Sequence, residues 1–267
     1  MKKLVFLLVF VVIAAVIATP ACADTVTVKG PSLVQDAVLR GDGPNINLGS
    51  NRDDKVDRMF ADTNGWGVKR HWLVKFDLSA IPTGATIQSA TYGIYVRRNS
   101  GLTIQTVTDY AISRLQAGKG WVEGIGTWTD PANPGEVTWN SQAHGSALWA
   151  TAGATGVTDI DQGTTILWTL PGNNIDPGWI TFDLKNMVQD WVSGAWENNG
   201  LVHWGGTTTE TDNQRYNWTY DSDTNTQPTR VPYLAIDYTV VPEPGSFLAL
   251  GSGLIAMGGF ALRRRRA

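Results

Sequence analysis

Apolar residues recur at every second position in short runs of this 267-residue chain, and this alternation limits the folds that it can adopt. Successive side chains of a strand point to opposite faces, so a period of two predicts strands with one buried face. Glycine, proline, asparagine and aspartate separate the runs, as is typical of antiparallel strands joined by turns. The runs are Trp72–Leu78, Tyr92–Val96, Ile166–Leu170, Ile180–Leu184 and Leu234–Val240. We therefore predict an all-β protein, most simply an antiparallel β-sandwich.

One segment has helical periodicity instead. Its apolar residues fall at positions i, i+3, i+4 and i+7, which places them on one face of a short helix. They are Leu184, Met187, Val188 and Trp191. We predict a helix over residues 184–193 with Asp183 as its N-cap and Gly194 as its C-terminal stop. Trp191 then belongs to the core.

The N-terminus has the composition of a secretory signal peptide, which we predict as a helix over residues 1–23. Two lysines precede an apolar run over residues 4–18. Ala21 and Ala23 supply the small residues at positions −3 and −1, so cleavage is expected before Asp24. The alternative is a lipoprotein cut before Cys22, although the leucine expected three residues before such a cysteine is missing.

Charge and cysteine content constrain the remaining body. Cys22 is the only cysteine, so a protein cleaved before Asp24 has no disulfide and depends on its core or on a metal. Six of the 21 basic and one of the 24 acidic residues lie in the terminal segments, which leaves a body charge of −8. This charge argues against binding to nucleic acid or to an anionic lipid surface.

The C-terminus combines three elements. Pro242, Glu243 and Pro244 precede an apolar run over residues 245–262. As a helix this run would be about 27 Å long, close to the hydrocarbon thickness of about 30 Å. The arginines that follow are Arg263, Arg264, Arg265 and Arg266. We predict a transmembrane helix whose basic end stays in the cytoplasm while the body lies outside.

In composition, order and position this tail resembles the PEP-CTERM sorting signal of Gram-negative bacteria. The resemblance implies recognition by an exosortase-type protease during a transient stay in the inner membrane. Removal of the tail would then deliver the body to the cell surface or extracellular matrix. A simple tail anchor is the alternative. We thus divide the chain into a signal peptide (1–23), a β-sandwich domain (24–240) and a sorting signal (241–267).

Four parts of the body, taken in order, carry a second resemblance. They contain Asp36–Leu39 and Gly43–Gly49, then Arg70–Ser79 and Ala85–Ala90, then Trp121 and Val137–Asn140, and last Phe182–Trp191, Asn198–Leu201 and Pro232–Leu234. This set resembles the DNRLRE domain, also called disaggregatase-related and grouped with carbohydrate-binding modules. The resemblance implies a jelly-roll-like sandwich, often attached to polysaccharide-degrading enzymes. Here the module stands alone, and residues 58–60 are expected in a longer, more charged loop.

Tryptophan is abundant, with 12 residues between Trp66 and Trp218. An exposed indole stacks on the C–H groups of a sugar ring, whereas a buried one fills a core that lacks disulfides. The predicted carbohydrate-binding residues are Trp66, Trp196, Tyr216, Trp218 and Tyr220. The alternative for the row of Tyr216, Trp218 and Tyr220 is a core face. Strand parity places Trp72 and Trp168 inside, and a mainly structural role is assigned to Trp72, Trp168, Trp179 and Trp191.

A structural calcium ion is a further hypothesis. Calcium prefers six to eight oxygen ligands, and jelly-roll carbohydrate-binding modules often hold one where the first and last strands meet. By that analogy Asp36 and Asp237 are the candidate ligands. Two loops, Asp53–Asp57 and Asp221–Asp223, are also rich in oxygen ligands, but neither has the EF-hand spacing.

The sequence contains no recognisable catalytic motif. His71, His144 and His203 are isolated, and no zinc-binding pair, nucleophile elbow or P-loop is present. His71 is expected on the outward face of its strand and His203 in a strand-like run, each as a structural or surface residue. Asp77 and Asp183 both lie between a phenylalanine and a leucine in similar strand segments. They are expected to cap the turns that follow rather than to form a catalytic pair. We predict a non-catalytic surface protein that binds polysaccharide. The alternatives are a structural matrix component that self-associates through sheet edges and a small polysaccharide lyase or hydrolase.

Overall fold

The structure of the protein is a computed structural model that describes residues 22–50, 59–63, 69–96, 107–127, 129–170, 178–205, 215–219, 222 and 227–240. Only the backbone is described for residues 22, 59–63, 107–109, 169–170 and 215–219. The predicted signal helix and transmembrane helix both lie outside these residues.

The described residues form thirteen strands, one α-helix and a short 3₁₀ turn. The strands are β1 (Cys22–Lys29), β2 (Val34–Arg40), β3 (Met59–Thr63), β4 (Lys69–Phe76), β5 (Thr86–Val96), β6 (Val107–Arg114), β7 (Ser141–Ala143), β8 (Ala147–Leu148), β9 (Ile166–Leu170), β10 (Gly178–Asp183), β11 (Leu201–Trp204), β12 (Arg215–Thr219) and β13 (Tyr233–Val240). The helix α1 spans Lys185–Ser193, and the 3₁₀ turn spans Gln162–Thr164.

Two large antiparallel sheets dominate the fold. The smaller sheet has the strand order β1-β13-β5-β10. The larger has seven strands in the order β12-β3-β4-β11-β6-β9, with β2 also paired to β4. The hairpin of β7 and β8 stands apart from both. An all-β protein made of antiparallel sheets with one short helix is confirmed, while the jelly-roll arrangement stays a prediction.

The main core lies between the two sheets, where the alternating residues meet. Trp72, Val74 and Phe76 from β4 are at most 1% exposed, and they share one apolar cluster with Tyr92 and Ile236 from the smaller sheet. The predicted inward faces are therefore correct, and the packing of both sheets against this cluster is consistent with a β-sandwich. Burying a side chain of this size stabilises the fold by about 1.5–3 kcal/mol.

A second apolar cluster covers the opposite face of the larger sheet. Residues 115–165 form a loop-rich layer there, and its Trp121 and Trp149 pack against Leu39 and Leu73 of the sheet. This layer has little regular structure, so side chains make hydrogen bonds with its backbone N–H and C=O groups. Asn47 is such a hub: its amide donates to the carbonyls of Glu123 and Val137, and its oxygen accepts from two glycine N–H groups.

Helix α1 closely matches the prediction. It begins one residue later than expected, at Lys185, and Leu184 takes the N-cap position without a side-chain bond. The carboxylate of Asp183 instead accepts the N–H of Lys185 at 2.8 Å. Gly194 ends the helix with φ of +74°, a conformation that glycine adopts without strain. Trp191 is 7% exposed, as a core residue should be.

One local expectation is wrong. Residues 58–60 were expected in a loop, but Met59 begins β3, which pairs with β12. In this pairing Met59 lies opposite Thr219, and Thr63 lies opposite Arg215. Short strands with charged and polar neighbours lack a clear period of two, so the sequence pattern does not distinguish this strand from a loop.

Candidate functional site

The outer face of the four-stranded sheet is open over its described residues. The corresponding face of the larger sheet lies under residues 115–165. On the smaller sheet the outward side chains include Thr27 of β1 and Thr181 of β10, and both are exposed. A ligand that needs a broad surface therefore has this face available.

Three aromatic rings and an arginine cluster at one end of the open face. The ring centroid of Trp179 lies 5.5 Å from that of Tyr95 and 5.1 Å from that of Tyr233. The guanidinium of Arg230 lies 4.4 Å from the centre of the Tyr95 ring. Trp179 is 42% exposed, whereas the other described tryptophan side chains are buried or partly buried. These four residues are termed the aromatic patch.

Strand register assembles the aromatic patch. Trp179 of β10 is the pairing partner of Tyr95 on β5. Tyr233 of β13 pairs with Gly93, which precedes Tyr95 by two residues and faces the same side. Because Gly93 has no side chain, the Tyr233 ring occupies the space above it. The rings meet nearly edge to face, at 89° and 67°, a geometry that contributes about 0.5–1.5 kcal/mol per pair.

Hydroxyl groups and a carboxylate occupy the other end of this face. Asp237 accepts hydrogen bonds of 2.7 Å from the hydroxyls of Ser89 and Thr25. These two bonds lower the pKa of the Asp237 carboxyl below its usual range, Ser89 having the larger effect. The open face thus has an aromatic end and a polar end.

A groove of about 560 Å³ lies at a different place, beside the end of β4 and the last turn of α1. Its lining includes Lys75, Asp77, Trp191 and Asn198. Burial lowers the pKa of the Lys75 ammonium, although Glu123 and Glu197 oppose the shift. The side chains of Asp77 and Asn198 already bond the Ser79 N–H and the Phe76 carbonyl. These polar groups of the groove are therefore already hydrogen-bonded to neighbouring backbone groups. The groove is for this reason a weaker candidate binding site than the aromatic patch.

Asp77 and Asp183 do not form a carboxylate pair. The Asp77 carboxylate accepts the N–H of Ser79 at 2.9 Å, and Asp183 does the same for Lys185. Both are exposed residues that cap the turn after their strand, as expected.

His203 is buried in the main core. It is 0% exposed, stacks on Trp72 at 3.5 Å between ring centroids and shares a 2.9 Å hydrogen bond with the Tyr92 hydroxyl. Burial lowers the pKa of the imidazole well below its usual range. Burial, and the nearby charge of Asp36, raise the pKa of Tyr92 well above its usual range. A histidine and a tyrosine so enclosed have no access to a polymer substrate.

His71 is also buried, which differs from its expected position on an outward face. It does point away from the main core, but the layer of residues 115–165 covers it and leaves it 2% exposed. Its Nδ1 donates to the Gly153 carbonyl at 2.6 Å, and its ring lies 4.8 Å from that of Trp139. The sequence pattern did not show that a second layer covers this face.

Of the predicted carbohydrate-binding residues, Trp196 is the one whose side chain the structure describes. Trp66 and Tyr220 lie outside the described residues, while Tyr216 and Trp218 lie in β12, where only the backbone is described. Trp196 is partly buried: the Arg114 guanidinium covers its ring at 3.9 Å, and its N–H donates to the Leu115 carbonyl at 3.0 Å. Their binding role stays a prediction, although Trp196 already has structural partners.

Asp36 and Asp237 are not brought together. Asp36 lies on β2, faces the main core at 1% exposure and accepts the N–H of Ser222 at 2.7 Å. Asp237 lies on β13 and points away from the sandwich, bonded to Thr25 and Ser89. Because the smaller sheet separates them, they do not form one calcium site. Among the described residues, no three histidine, cysteine, aspartate or glutamate side chains are grouped as metal ligands.

Trp179 was expected to have mainly a structural role, but it is 42% exposed. The sequence nevertheless contained the signal, because Ile180 and Phe182 alternate inward and thereby place Trp179 outward. Its partners Tyr95 and Tyr233 could not be recognised in advance. Their contact depends on the pairing of β5 with both β10 and β13, which a single sequence does not reveal.

Comparison with known proteins identifies the tail. Residues 240–266 match the PEP-CTERM protein-sorting motif. No curated protein matches the chain. The PEP-CTERM motif indicates an exported protein that is sorted through the membrane to the cell surface of a Gram-negative bacterium. PEP-CTERM signals are recognised by exosortase, which is consistent with the predicted processing protease.

The PEP-CTERM motif begins where the folded body ends. β13 reaches Val240, and the sorting residues Pro242, Glu243, Pro244 and Arg263–Arg266 follow outside the described part. At the other end, β1 already includes Cys22 and Ala23, which precede the predicted cleavage site, and Ala21 lies just outside. In the described part of the chain, no helix is long and apolar enough to cross a membrane.

Proposed function

We propose that this exported protein binds polysaccharide, without catalysis, through the aromatic patch. The observation that carries the proposal is the exposure of Trp179 beside Tyr95 and Tyr233 on the open face. An exposed indole can stack on the C–H groups of a pyranose ring and bury apolar surface there. The sorting motif adds a location at the cell surface, where polysaccharides are abundant.

The arrangement of the aromatic patch suits a polymer better than a small enclosed ligand. Its rings belong to three adjacent strands, β10, β5 and β13, and therefore follow one another across the sheet. Neighbouring strands lie about 4.8 Å apart, so the patch is about 10 Å wide, comparable to two sugar rings. Polar side chains such as Thr181 extend from it and offer hydrogen bonds to sugar hydroxyls.

Affinity electrophoresis of the full chain in detergent micelles, through gels that contain the producing organism's own polysaccharide, tests this function. Trp179→Ala should weaken binding at least tenfold, which corresponds to about 1.4 kcal/mol. The matched control is Ile125→Ala, because Ile125 is 77% exposed but lies on the layer over the other sheet. Equal retardation of the wild type and Trp179→Ala would contradict the proposal, provided that both melt at similar temperatures.

The non-catalytic part of the proposal is supported by the burial of His71 and His203, which removes two of the three histidines from contact with a polymer. The DNRLRE-like nature of the body belongs to the same proposal and is supported by its antiparallel sheets. Incubation with the bound polysaccharide provides the test. The appearance of new reducing ends would favour a hydrolase instead, and the appearance of unsaturated ends would favour a lyase.

Self-association is the second candidate function, and exposed apolar side chains favour it. Leu167 on the edge strand β9 is 65% exposed, and Leu148 and Val157 are 72% and 69% exposed. Sedimentation velocity without sugar, over a hundredfold range of concentration, would reveal assembly. Leu167→Lys should suppress assembly if the edge of β9 is the contact.

A further inference from the structure

The two ends of the body leave the smaller sheet side by side. β1 and β13 are antiparallel, and their register pairs Cys22 with Val240 at one end and Lys29 with Tyr233 at the other. The predicted signal peptide ends at Ala23, in the first residues of β1, and the PEP-CTERM motif begins at Val240, the last residue of β13. Both membrane-directed segments therefore start from one end of this sheet, which is termed the tail end.

The aromatic patch lies at the opposite end. Tyr233 is seven residues before Val240 on β13, which at about 3.3 Å per residue is about 23 Å away. Tyr95 lies two residues beyond Gly93, the partner of Tyr233, and is therefore about 30 Å from the tail end. Trp179 pairs with Tyr95 and is at the same distance.

The tail sequence keeps the tail end close to the membrane. Four residues, 241–244, separate β13 from the apolar run. Even fully extended, four residues reach only about 14 Å. While the apolar run is inserted, the tail end of the sheet must stay within about this distance of the bilayer.

From this geometry we infer that the membrane-inserted form holds its tail end against the bilayer and its aromatic patch outward. The partner that fits this surface is a polysaccharide outside the membrane, which the protein binds before its tail is removed. Processing near Pro242 and binding at Trp179 then occur at opposite ends of one sheet and do not compete. The orientation rests on strand register and the sorting motif, whereas its use in binding rests on the proposed function.

Orientation is measured by energy transfer from a donor dye on the protein to acceptor lipids. The tail-bearing chain, with Cys22→Ser to remove its only cysteine, is inserted into phosphatidylcholine vesicles. Thr25→Cys and Lys29→Cys carry the dye at outward, exposed positions of β1 that are about 13 Å apart. Transfer should be stronger from position 25 than from 29. Equal or reversed transfer would overturn the orientation.

A second pair of labelling sites is the control for structural changes that the label causes locally. Thr239→Cys and Ala235→Cys on β13 point to the same face and should show the same order, stronger at 239. Thr25 bonds Asp237, so agreement between the two strands excludes an artefact from the loss of that bond.

The access of polysaccharide to the aromatic patch is measured by comparing polysaccharide binding to the tail-bearing chain in vesicles and in detergent micelles. The two dissociation constants should agree within about twofold. Binding at least tenfold weaker in vesicles would overturn the claim of outward access. Absence of binding in both, with the expected energy transfer, would contradict the proposed function and leave the orientation standing.

Discussion

The ring of Tyr233 lies directly above the backbone of Gly93, its pairing partner across β13 and β5. A Cβ atom at Gly93 would overlap the Tyr233 ring, so only glycine permits this contact. The pairing fixes the ring of Tyr233 against Trp179, at 5.1 Å between centroids. A residue without a side chain thus determines the shape of the aromatic patch.

Gly93→Ala should displace the Tyr233 ring and weaken polysaccharide binding about three- to tenfold, with a stability cost of about 1–3 kcal/mol from overpacking. Gly84→Ala is the control, because a Cβ there meets no atom within 4 Å. Isothermal titration well below the melting temperature separates affinity from stability. Unchanged affinity in Gly93→Ala would show that Tyr233 is not part of the binding surface.

Acid should destabilise the protein through His203. The buried imidazole stays neutral because burial lowers its pKa well below 6.5, the ordinary value that the unfolded chain recovers. As the pH falls below about 6.5, the unfolded state therefore binds a proton that the folded state does not. Stability should therefore decline as the pH falls below about 6.5, with a slope for this one group of at most about 1.4 kcal/mol per pH unit.

Urea unfolding at several pH values measures this decline. His203→Gln should remove most of the slope, whereas Tyr92→Phe deletes only the hydroxyl partner of His203 and should keep it. A slope that survives in His203→Gln would assign the acid sensitivity to other groups.

Asn47 should be among the most sensitive polar positions. It is 0% exposed, and its side chain makes four hydrogen bonds to backbone groups of residues 49, 123, 126 and 137. Asn47→Ala leaves those groups unsatisfied and should cost about 3 kcal/mol or more. Asn45→Ala is the control, since Asn45 is exposed and accepts a single side-chain bond from Asn140. Equal melting temperatures for the two variants would refute this role.

The tail should be absent from the protein found outside the cell. Recognition of the PEP-CTERM motif is expected to lead to cleavage near Pro242–Pro244, after the last residue of β13. Intact-mass spectrometry of surface-released protein should show a chain that ends before Phe247. A mass that still includes residues 247–266 would contradict processing. Replacement of Arg263–Arg266 by glutamine should prevent cleavage, so that the variant keeps its tail.

Periodicity predicted most of the regular structure for a direct physical reason. A strand with one buried face must alternate, so Trp72, Val74 and Phe76 identified β4, and the i, i+3, i+4 pattern identified α1. β3 was missed because its five residues, Met59–Thr63, are too few to show a period and are not alternately apolar and polar. The layer of residues 115–165 was missed because side chains such as Asn47, rather than a repeating pattern, hold it in place.

The sequence by itself determined the destination of the protein, its antiparallel β-architecture and its helix, because sorting signals and strand periods are local along the chain. Tertiary structure alone decided which aromatic residues meet. Trp179, Tyr95 and Tyr233 are separated by more than 50 residues from one another, and only the pairing of β10, β5 and β13 makes them neighbours. The burial of Trp121 and Trp149 was likewise decided by a second layer whose packing depends on contacts distant in sequence.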